Sequence, residues 1–419
     1  MIAKVKGMND LVYPESEKLN KVIEKIRFLF KLYNAREIVT PLLEHSEVFH
    51  REKENSDMVI KETYDFMDRG NRKLTIRPEG TAGVARAYLE NKLYLDDDIV
   101  KLFYFGTFYR YERPQKGRLR EFRQFGIEVF NSDSYLIDLE VIELVSRIYN
   151  SFGLKTRIRL NSLGNETSIL NYKSKIKEYF NLYKESLCPD CLNRLENNPL
   201  RILDCKVDCH KDFFKNAPST LKYLDLDSKK RFEELLKLLD KLEIPYLVDD
   251  KLVRGLDYYS ETVFEIDILS DNNDAIKTLG GGGRYNNLTK ELGGENTSCF
   301  GFAGGIERLI NALDETNYDY KLSDSPKFYI ITFDKEFEDY GLSILKEIRD
   351  KNIAAEFSYK DRSIKSKVKK GITLNSKYLI IIGKNEFDNQ TLILKDTVTS
   401  TQEELSYSSF KEFLENMEK

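Results

Sequence analysis

Residues 108–128 read FYRYERPQKGRLREFRQFGIE. At strand period, Arg110 and Glu112 share one face of an incoming strand, and Gln124, Gly126 and Glu128 share one face of an outgoing strand. Pro114 and Gly117 fall between them, in a segment poor in large apolar residues and rich in arginine. The pattern predicts a hairpin that carries a guanidinium, two carboxylates and an amide on its strand faces, with a basic arm at its tip. Such a floor can hold a phosphate and an amino group at once while the arm meets a polyanion. The same alternation also describes a half-exposed antiparallel hairpin with a solvated tip. The remainder of the chain has to decide between the two.

The chain has 419 residues, room for two or three domains. Hydrophobic residues make up 41% and charged residues 32%, which is the balance of a soluble globular protein. No apolar run approaches a membrane span, and MIAKVKGMND at the N-terminus has no apolar signal core. A cytoplasmic location without membrane association is therefore expected. A formal net charge of −4 excludes binding to a polyanion by bulk charge. Nucleic-acid contact would have to come from local patches, and two stand out. Residues 110–123 carry Arg110, Arg113, Lys116, Arg118, Arg120 and Arg123 against Glu112 and Glu121, and residues 360–370 carry six basic residues against Asp361. Either run also reads as a solvated face.

Five cysteines in a chain of this length do not make a disulfide scaffold. Four cluster as Cys188-Pro-Asp-Cys191 and Cys205-Lys-Val-Asp-Cys209, followed by His210. A CxxC turn with a second close pair is ligand spacing for tetrahedral zinc, so Cys188, Cys191, Cys205 and Cys209 are the expected ligands. The CxxxC spacing is looser than the usual turn, and reduced cysteines in a small helical region are the other reading.

Along the chain, Leu19, Val22, Ile23, Ile26, Phe30 and Tyr33 recur at helical spacing over 15–33. An extended segment at 36–41 ends on Pro41, which cannot donate to a ladder. Short strands follow within 62–80, and Thr81 is placed to cap a helix over residues 82–89. A helix over 134–152 stops at Gly153, and a strand follows at 156–161. Between 165 and 245 the composition turns Lys-, Asn- and Leu-rich, with helical periodicity at 168–184 and 228–242, as in a mostly helical insertion. Strand patterning returns at 262–269. Gly280–Gly283 before Arg284-Tyr285 and the CFGFAGGIERLINAL stretch at 299–313 both read as glycine-bearing strand-to-helix transitions. Pro326 marks a linker. Beyond it, alternating strands (327–333, 353–358, 378–383, 390–395) and helices (337–350, 363–374, 408–416) predict a separate small α/β domain.

Three further constellations carry chemistry. Arg308 follows Gly304-Gly305 in the first turn of a helix, where free amides and the helix dipole attract anions; a structural salt bridge is the alternative. In LVRGLDYY, residues 252–259, Arg254 projects beside a permissive Gly255 and two tyrosines offer hydroxyls and flat faces. RPEGT at 77–81 puts a carboxylate and a hydroxyl at a strand-to-helix turn, which by itself is a capping arrangement.

Their joint order is more specific than any one of them. The chain resembles the class II aminoacyl-tRNA synthetases and, within them, the histidyl-tRNA synthetases, over essentially its whole length. Lys6-Gly7-Met8-Asn9-Asp10 is similar to the family's opening, Tyr33 to Pro41 to motif 1, residues 105–128 to motif 2 and 299–310 to motif 3. LVRGLDYY and GGGRY at 281–285 resemble the two peptides characteristic of the histidine enzymes. Asn34 departs from a glycine common before the motif 1 strand, and Asn286-Asn287 from Asp-Gly.

The resemblance implies an α+β catalytic domain over 1–165 and 246–322, with a six-stranded antiparallel sheet flanked by helices. It implies a helical insertion at 166–245, an α/β anticodon-binding domain at 326–419, and a homodimer formed through motif 1. The implied reaction is activation of L-histidine by ATP, with transfer to the terminal adenosine of its tRNA and no covalent enzyme intermediate. Arg110 and Arg254 would then face each other across the α-phosphate, Arg254 as a fixed cation. Glu112 would meet the adenine amino group and Arg308 the γ-phosphate, with Mg2+ on the β- and γ-phosphates. Glu79, Gly80 and Thr81 would receive the α-ammonium, and Gln124 would lie near the carboxylate. Glu128 would accept a hydrogen from the imidazole, with Tyr258, Tyr259 and Tyr285 lining its pocket. Arg113 and Gln115 would approach the acceptor end of the tRNA, and Lys365 and Lys367 would face RNA from the C-terminal domain. A histidine-binding regulatory paralogue of ATP phosphoribosyltransferase shares this fold and is the main rival. A general RNA-binding scaffold is the second, and it leaves the carboxylates and glycine turns unexplained.

Overall fold

The computed structural model describes residues 2–51, 57–95, 98–114, 118–270, 272–322 and 325–417. The chain divides into two compact units, Met1–Tyr320 and Lys321–Lys419. No helix among the described residues is long and apolar enough to cross a membrane.

The strands of the first unit are β1 (Arg36–Glu37), β2 (Leu43–His45), β3 (Tyr64–Met67), β4 (Lys73–Ile76), β5 (Val100–Tyr109), β6 (Glu121–Phe130), β7 (Thr156–Ser162), β8 (Tyr246–Val248), β9 (Ser260–Leu269), β10 (Ala275–Arg284) and β11 (Cys299–Gly305). Eight of them form one sheet in the order β1-β5-β6-β11-β10-β9-β7-β8. The six inner strands pair antiparallel throughout, as the family resemblance implies. Short β1 and β8 add parallel edges. β2, β4 and β3 make a separate three-stranded sheet.

Apolar periodicity explains what covers the sheet. Helix Glu15–Leu32 buries Val22, Ile26, Leu29 and Phe30 on one stripe, and Phe30 stacks on Phe103 of β5 with ring centroids 4.8 Å apart. Helix Tyr135–Ser151 starts where the Leu136 amide donates to the Ser134 hydroxyl at 3.2 Å. It ends before Gly153, whose φ of +76° only glycine adopts without strain. The extended segment expected at 36–41 pairs only over the two residues of β1.

The glycine run at 280–283 differs from expectation. It is the interior of β10 and not a strand-to-helix turn. The reason is the close approach of β11: a Cβ at Gly282 would lie 1.9 Å from the carbonyl oxygen of Gly301.

The helical segment after β7 belongs to the first unit. Its helices Glu166–Asn181 and Pro189–Asn197 enclose a small core of their own. Its last helix, Leu226–Lys241, packs instead on helix Tyr135–Ser151.

In the second unit, β12 (Phe328–Thr332), β13 (Ala355–Phe357), β14 (Tyr378–Ile382), β15 (Thr391–Asp396) and β16 (Gln402–Ser406) form a sheet in the order β13-β12-β14-β15-β16. Helices Glu338–Asp350 and Tyr407–Met417 cover one face through Ile344, Ile348, Phe410 and Leu414. Helix Ile364–Thr373 covers the other through Ile364 and Val368. β16 and the short helix Lys384–Asn389 went unread in the sequence. β16 is polar and mostly exposed, with no apolar alternation to reveal it.

A largely buried ion cluster ties the first unit together. Asp138 and Arg284 are both completely buried, with Nη2 2.6 Å from Oδ1. Arg231 of helix Leu226–Lys241 donates to both oxygens of the same carboxylate at 3.2 Å. Asp138→Ala would leave the buried Arg284 guanidinium with only the Ser132 and Ser134 carbonyls close by, and would take from Arg231 its buried carboxylate. It is expected to cost about 3 kcal/mol or more, read as a lowered urea midpoint by circular dichroism.

Candidate active site

β6 presents Gln124, Gly126 and Glu128 on one face, as the period-two reading requires. Glu128 is completely buried and meets hydroxyls from three segments of chain. Thr81 Oγ1 donates to Oε1 at 2.7 Å, Tyr285 OH donates to Oε2 at 2.5 Å, and Tyr104 OH lies 3.4 Å from Oε1. Burial pushes the Glu128 carboxyl up to about 8, and the hydrogen bonds from Tyr285 and Thr81 oppose that rise. Two glycines make the arrangement possible. A Cβ at Gly80 or Gly126 would lie 2.3 or 2.4 Å from the Tyr104 ring, so the ring fits only against bare backbone.

Glu79 lies beside this group. Its carboxylate accepts the amides of Thr81 at 2.6 Å and Ala82 at 2.9 Å. The cap of helix Thr81–Glu90 is therefore supplied by Glu79. The Thr81 hydroxyl, expected to cap, is spent on Glu128 instead. Burial raises the Glu79 carboxyl, while the Ala82 amide and the nearby Arg51 pull it down. Tyr258 and Tyr259 pack with ring centroids 4.8 Å apart, and Tyr258 meets Tyr285 at 5.7 Å.

At the other end, Arg110 and Glu112 lie just past the end of β5 and not on its face. The Arg110 amide still donates to the Arg120 carbonyl at 2.9 Å, its Nε donates to the Pro78 carbonyl at 2.9 Å, and its guanidinium covers Phe122 at 5.2 Å. Glu112 accepts from Arg118 at 3.3 Å. Next to it, the Glu62 carboxyl is raised by burial and by the Glu112 charge. Arg308 sits in the first turn of helix Ile306–Glu315 and donates to the Thr278 carbonyl at 3.1 Å. Burial and the neighbouring Arg118 and Arg110 hold it below its ordinary value. Arg254 is pinned by a short ion pair to Glu265 and covers the Tyr259 ring at 5.7 Å. Burial alone would lower it, but Glu265 and the tyrosines more than offset this. Gly281 gives it room, since a Cβ there would lie 2.4 Å from its Nη1.

One cavity of about 590 Å3 joins the two ends, within the range of small-molecule sites. Glu79, Gly80, Thr81, Arg110, Glu112, Gln124, Arg254, Tyr258, Tyr259 and Arg308 all line it. Glu128 and Tyr285 are buried behind that lining and reach it through Thr81. The Gln124 amide oxygen is buried with no protein partner among the described residues, which suits a site completed by a ligand. Two residues escaped the sequence reading. Tyr104 shares the face of Leu102 and Gly106 on β5, so alternation could have marked it. Arg51, whose guanidinium lies 5.8 Å from the Tyr258 ring, follows a single 3-10 turn and carries no periodic signal.

The nucleic-acid expectations fare unevenly. Arg113 is exposed at the described end of the hairpin, and Gln115 lies outside the described residues. Lys365 is exposed on helix Ile364–Thr373. Lys367 is buried, and its ammonium donates to the Thr332 carbonyl at 2.8 Å, so it holds the second unit together and does not face outward. The thiol expectation changes too. Cys188, Cys191 and Cys205 gather with Asp208, whereas Cys209 turns its thiol to the Lys206 carbonyl at 3.4 Å.

The family described as Histidyl-tRNA synthetase matches residues 7–309, and the Anticodon binding domain family matches 327–417. The chain belongs to the histidyl-tRNA synthetase family. It is 45% identical over 415 residues to the histidine–tRNA ligase of Acholeplasma laidlawii, covering 99% of both chains. It is 42% identical to that of Oceanobacillus iheyensis, covering 98% of this chain and 96% of the relative. The crystal structure of apo S. aureus histidyl-tRNA synthetase superposes with a TM-score of 0.84 at 34% identity, covering 99% of this chain and 100% of the other. Full-length likeness to ligases, together with a complete second unit, favours the ligase over the regulatory rival.

The raised Glu128 carboxyl has a measurable consequence. The native state keeps its proton up to about 8, whereas the unfolded chain ionises in the ordinary carboxylate range. Its contribution to stability is thus complete below that range and is lost as pH rises toward 8. The thermal midpoint of the ligand-free protein is expected to fall across this window, and the Glu128→Gln variant to fall less.

Proposed function

We propose that this chain is a histidine–tRNA ligase that activates L-histidine with ATP and transfers it to the 3′-terminal adenosine of its tRNA. The observation that carries the reading is the convergence on one cavity of three guanidiniums, from Arg110, Arg254 and Arg308, with the Glu79 carboxyl and the hydroxyls of Thr81, Tyr258 and Tyr259, behind which Glu128 is bonded to Thr81. The cationic end fits a polyphosphate, and the other end fits an amino acid with a hydrogen-bonding ring.

In the first step a carboxylate oxygen of histidine attacks the α-phosphorus, and the bond to pyrophosphate breaks. Negative charge grows on the α-phosphoryl oxygens and the leaving oxygen. Arg254 is already fixed by Glu265, and Arg110 by the Pro78 carbonyl, so neither reorganises as that charge appears. Arg308 holds the departing pyrophosphate, and Glu112 receives the adenine amino group. Mg2+ would travel with the β- and γ-phosphates, supplying charge neutralisation there. Glu265 is bound to Arg254 and Arg159, so no dedicated carboxylate cage is invoked for it. No step of this chemistry requires zinc.

Glu79 keeps lone pairs for the α-ammonium beyond the two amides it accepts, with Gly80 leaving space and Thr81 beside it. Gln124 lies by the substrate carboxylate. Glu128 and Tyr285, buried just behind the cavity lining, are assigned to the imidazole N–H and the inner end of its pocket, with Tyr258 and Tyr259 on the lining itself. A pocket with this many committed polar groups rejects apolar isosteres, because they would leave its own groups unpaired.

The catalytic core then comprises 1–165 and 246–322, with the insertion at 166–245 and the anticodon-binding domain at 326–419. Arg113 at the described end of the hairpin, Gln115, which lies outside the described residues, and Lys365 on its helix are the contacts assigned to tRNA; single-stranded loops are where proteins read RNA sequence. Phe28, Leu32, Val39, Leu42 and Leu43 are exposed around motif 1 and favour a homodimer through that face. The protein would work in the cytoplasm.

The test is ATP–pyrophosphate exchange with each amino acid in turn, without tRNA. Exchange with L-histidine alone is expected, and its absence in folded protein that binds histidine would return the regulatory rival. Glu128→Ala should abolish histidine-dependent exchange with ATP binding retained. Arg254→Ala should lower kcat about 100-fold or more.

A further inference from the structure

The first part of the insertion has a core of aromatic and sulfur side chains, with Ile176, Phe180, Cys191, Ile202, Cys205 and Phe214 in one cluster. Two turns of the same design stand at its edge. In one, Cys188 caps helix Pro189–Asn197, and the Cys191 amide donates to Cys188 Sγ at 3.4 Å. In the other, Cys205 closes the 3-10 turn Pro199–Asp204, and the Asp208 amide donates to Cys205 Sγ at 3.3 Å. Each turn therefore pairs a cysteine with a second ligand three residues on, and an amide supports the first sulfur. Read this way, the loose CxxxC spacing becomes a second x–x turn ending on Asp208, and Cys209 is not needed.

The geometry of the four groups is that of a coordination sphere. Their ligand atoms all lie within 4.8 Å of one another, and the Cys188 and Cys205 sulfurs are 3.7 Å apart. A tetrahedral zinc with ordinary Zn–S bonds sets its sulfurs about 3.8 Å apart. Cys191, Cys205 and Asp208 are buried, and the Asp208 carboxylate is oriented by the Cys188 amide at 2.9 Å and by Lys211 at 2.8 Å. Such outer contacts commonly orient metal ligands. Three sulfurs with one carboxylate select a soft-accepting divalent ion over magnesium or calcium.

We propose that Cys188, Cys191, Cys205 and Asp208 bind one structural zinc ion. The thiol protons leave to solvent as the ion enters, and the metal keeps its charge. The site staples a lobe too small to hold itself rigidly by apolar burial. It also fixes one wall of the catalytic cavity. The segment between the two turns carries Arg194 and Arg201. Arg194 donates to the Arg201 carbonyl at 3.2 Å, Arg201 donates to the Arg254 carbonyl at 3.1 Å, and Cys205 itself lines the cavity.

The metal claim does not depend on the reaction assigned above. Full-length protein, produced with zinc in the medium and purified under reducing conditions without chelator, is expected to hold about one zinc per chain. Cys209→Ser should keep it. Cys188→Ser and Asp208→Asn should bind zinc at least ~10-fold more weakly in competition with a chromophoric chelator. Cobalt uptake by the wild type should give thiolate charge-transfer absorption. Wild-type protein that holds well under one zinc per chain and takes up no cobalt would overturn the proposal, whatever the variants do. Loss of zinc from Cys209→Ser with native circular dichroism would overturn the ligand set.

Discussion

A carboxyl with no water around it is the constraint on which the site depends. Taking Glu128 into the interior costs several kcal/mol unless its oxygens are matched by donors. Those donors come from a helix start (Thr81), a strand (Tyr104) and the end of β10 (Tyr285), three segments distant in sequence. Each hydroxyl fixes its segment relative to β6. The glycines then follow as requirements: Gly80 and Gly126 admit the Tyr104 ring, and Gly301 admits the carboxyl itself, since a Cβ there would lie 1.8 Å from Glu128 Oε2. The buried carboxyl is thereby a registration pin for three elements.

The opposite end of the cavity carries the complementary cost. Burial lowers Arg308, and Arg118 and Arg110 lie close enough to lower it further. Their mutual repulsion is tolerated because each is anchored by a neutral carbonyl or by a carboxylate. Arg254 is held differently, through Glu265, which also pairs with Arg159, itself bonded to Asp249 and Asp267. An anion entering this space relieves repulsion that the folded chain already bears, so binding and folding are linked in sign. Charge held in this way needs little reorganisation when an anion binds, because that cost is met during folding.

Much of this was legible in the sequence wherever the signal was periodic. Helix 15–32, both arms of the motif 2 hairpin, helix 135–151 and the alternating second unit all carry apolar spacing that survives into burial. What escaped was set by tertiary context. The glycine run reads locally as a turn, and only its pairing with β9 and β11 makes it a strand. Lys367 reads as one of a basic run, yet its position on the inward stripe of helix 364–373 sends it to a carbonyl. Cys209 and Asp208 are adjacent, and no residue count tells which of them turns inward; the amide of Asp208 on Cys205 does. Arg51 sits outside any repeat.

Residues 166–245 look uniform, but two kinds of contact divide them. Helix Leu226–Lys241 is clamped through Arg231 to Asp138, and Asp138 in turn holds Arg284 at the end of β10. Ser228 adds a bond to Glu261 at the start of β9. This helix therefore moves with the sheet. The part before it meets the core both through polar contacts, Asn198 to Asp257 at 2.6 Å, Arg201 to the Arg254 carbonyl and Thr220 to Asn161 at 2.9 Å, and through an apolar patch in which Ile169, Leu200 and Leu203 pack with Leu252, Val253 and Val263. Polar contacts exchange with water at little net cost, whereas a buried ion cluster does not.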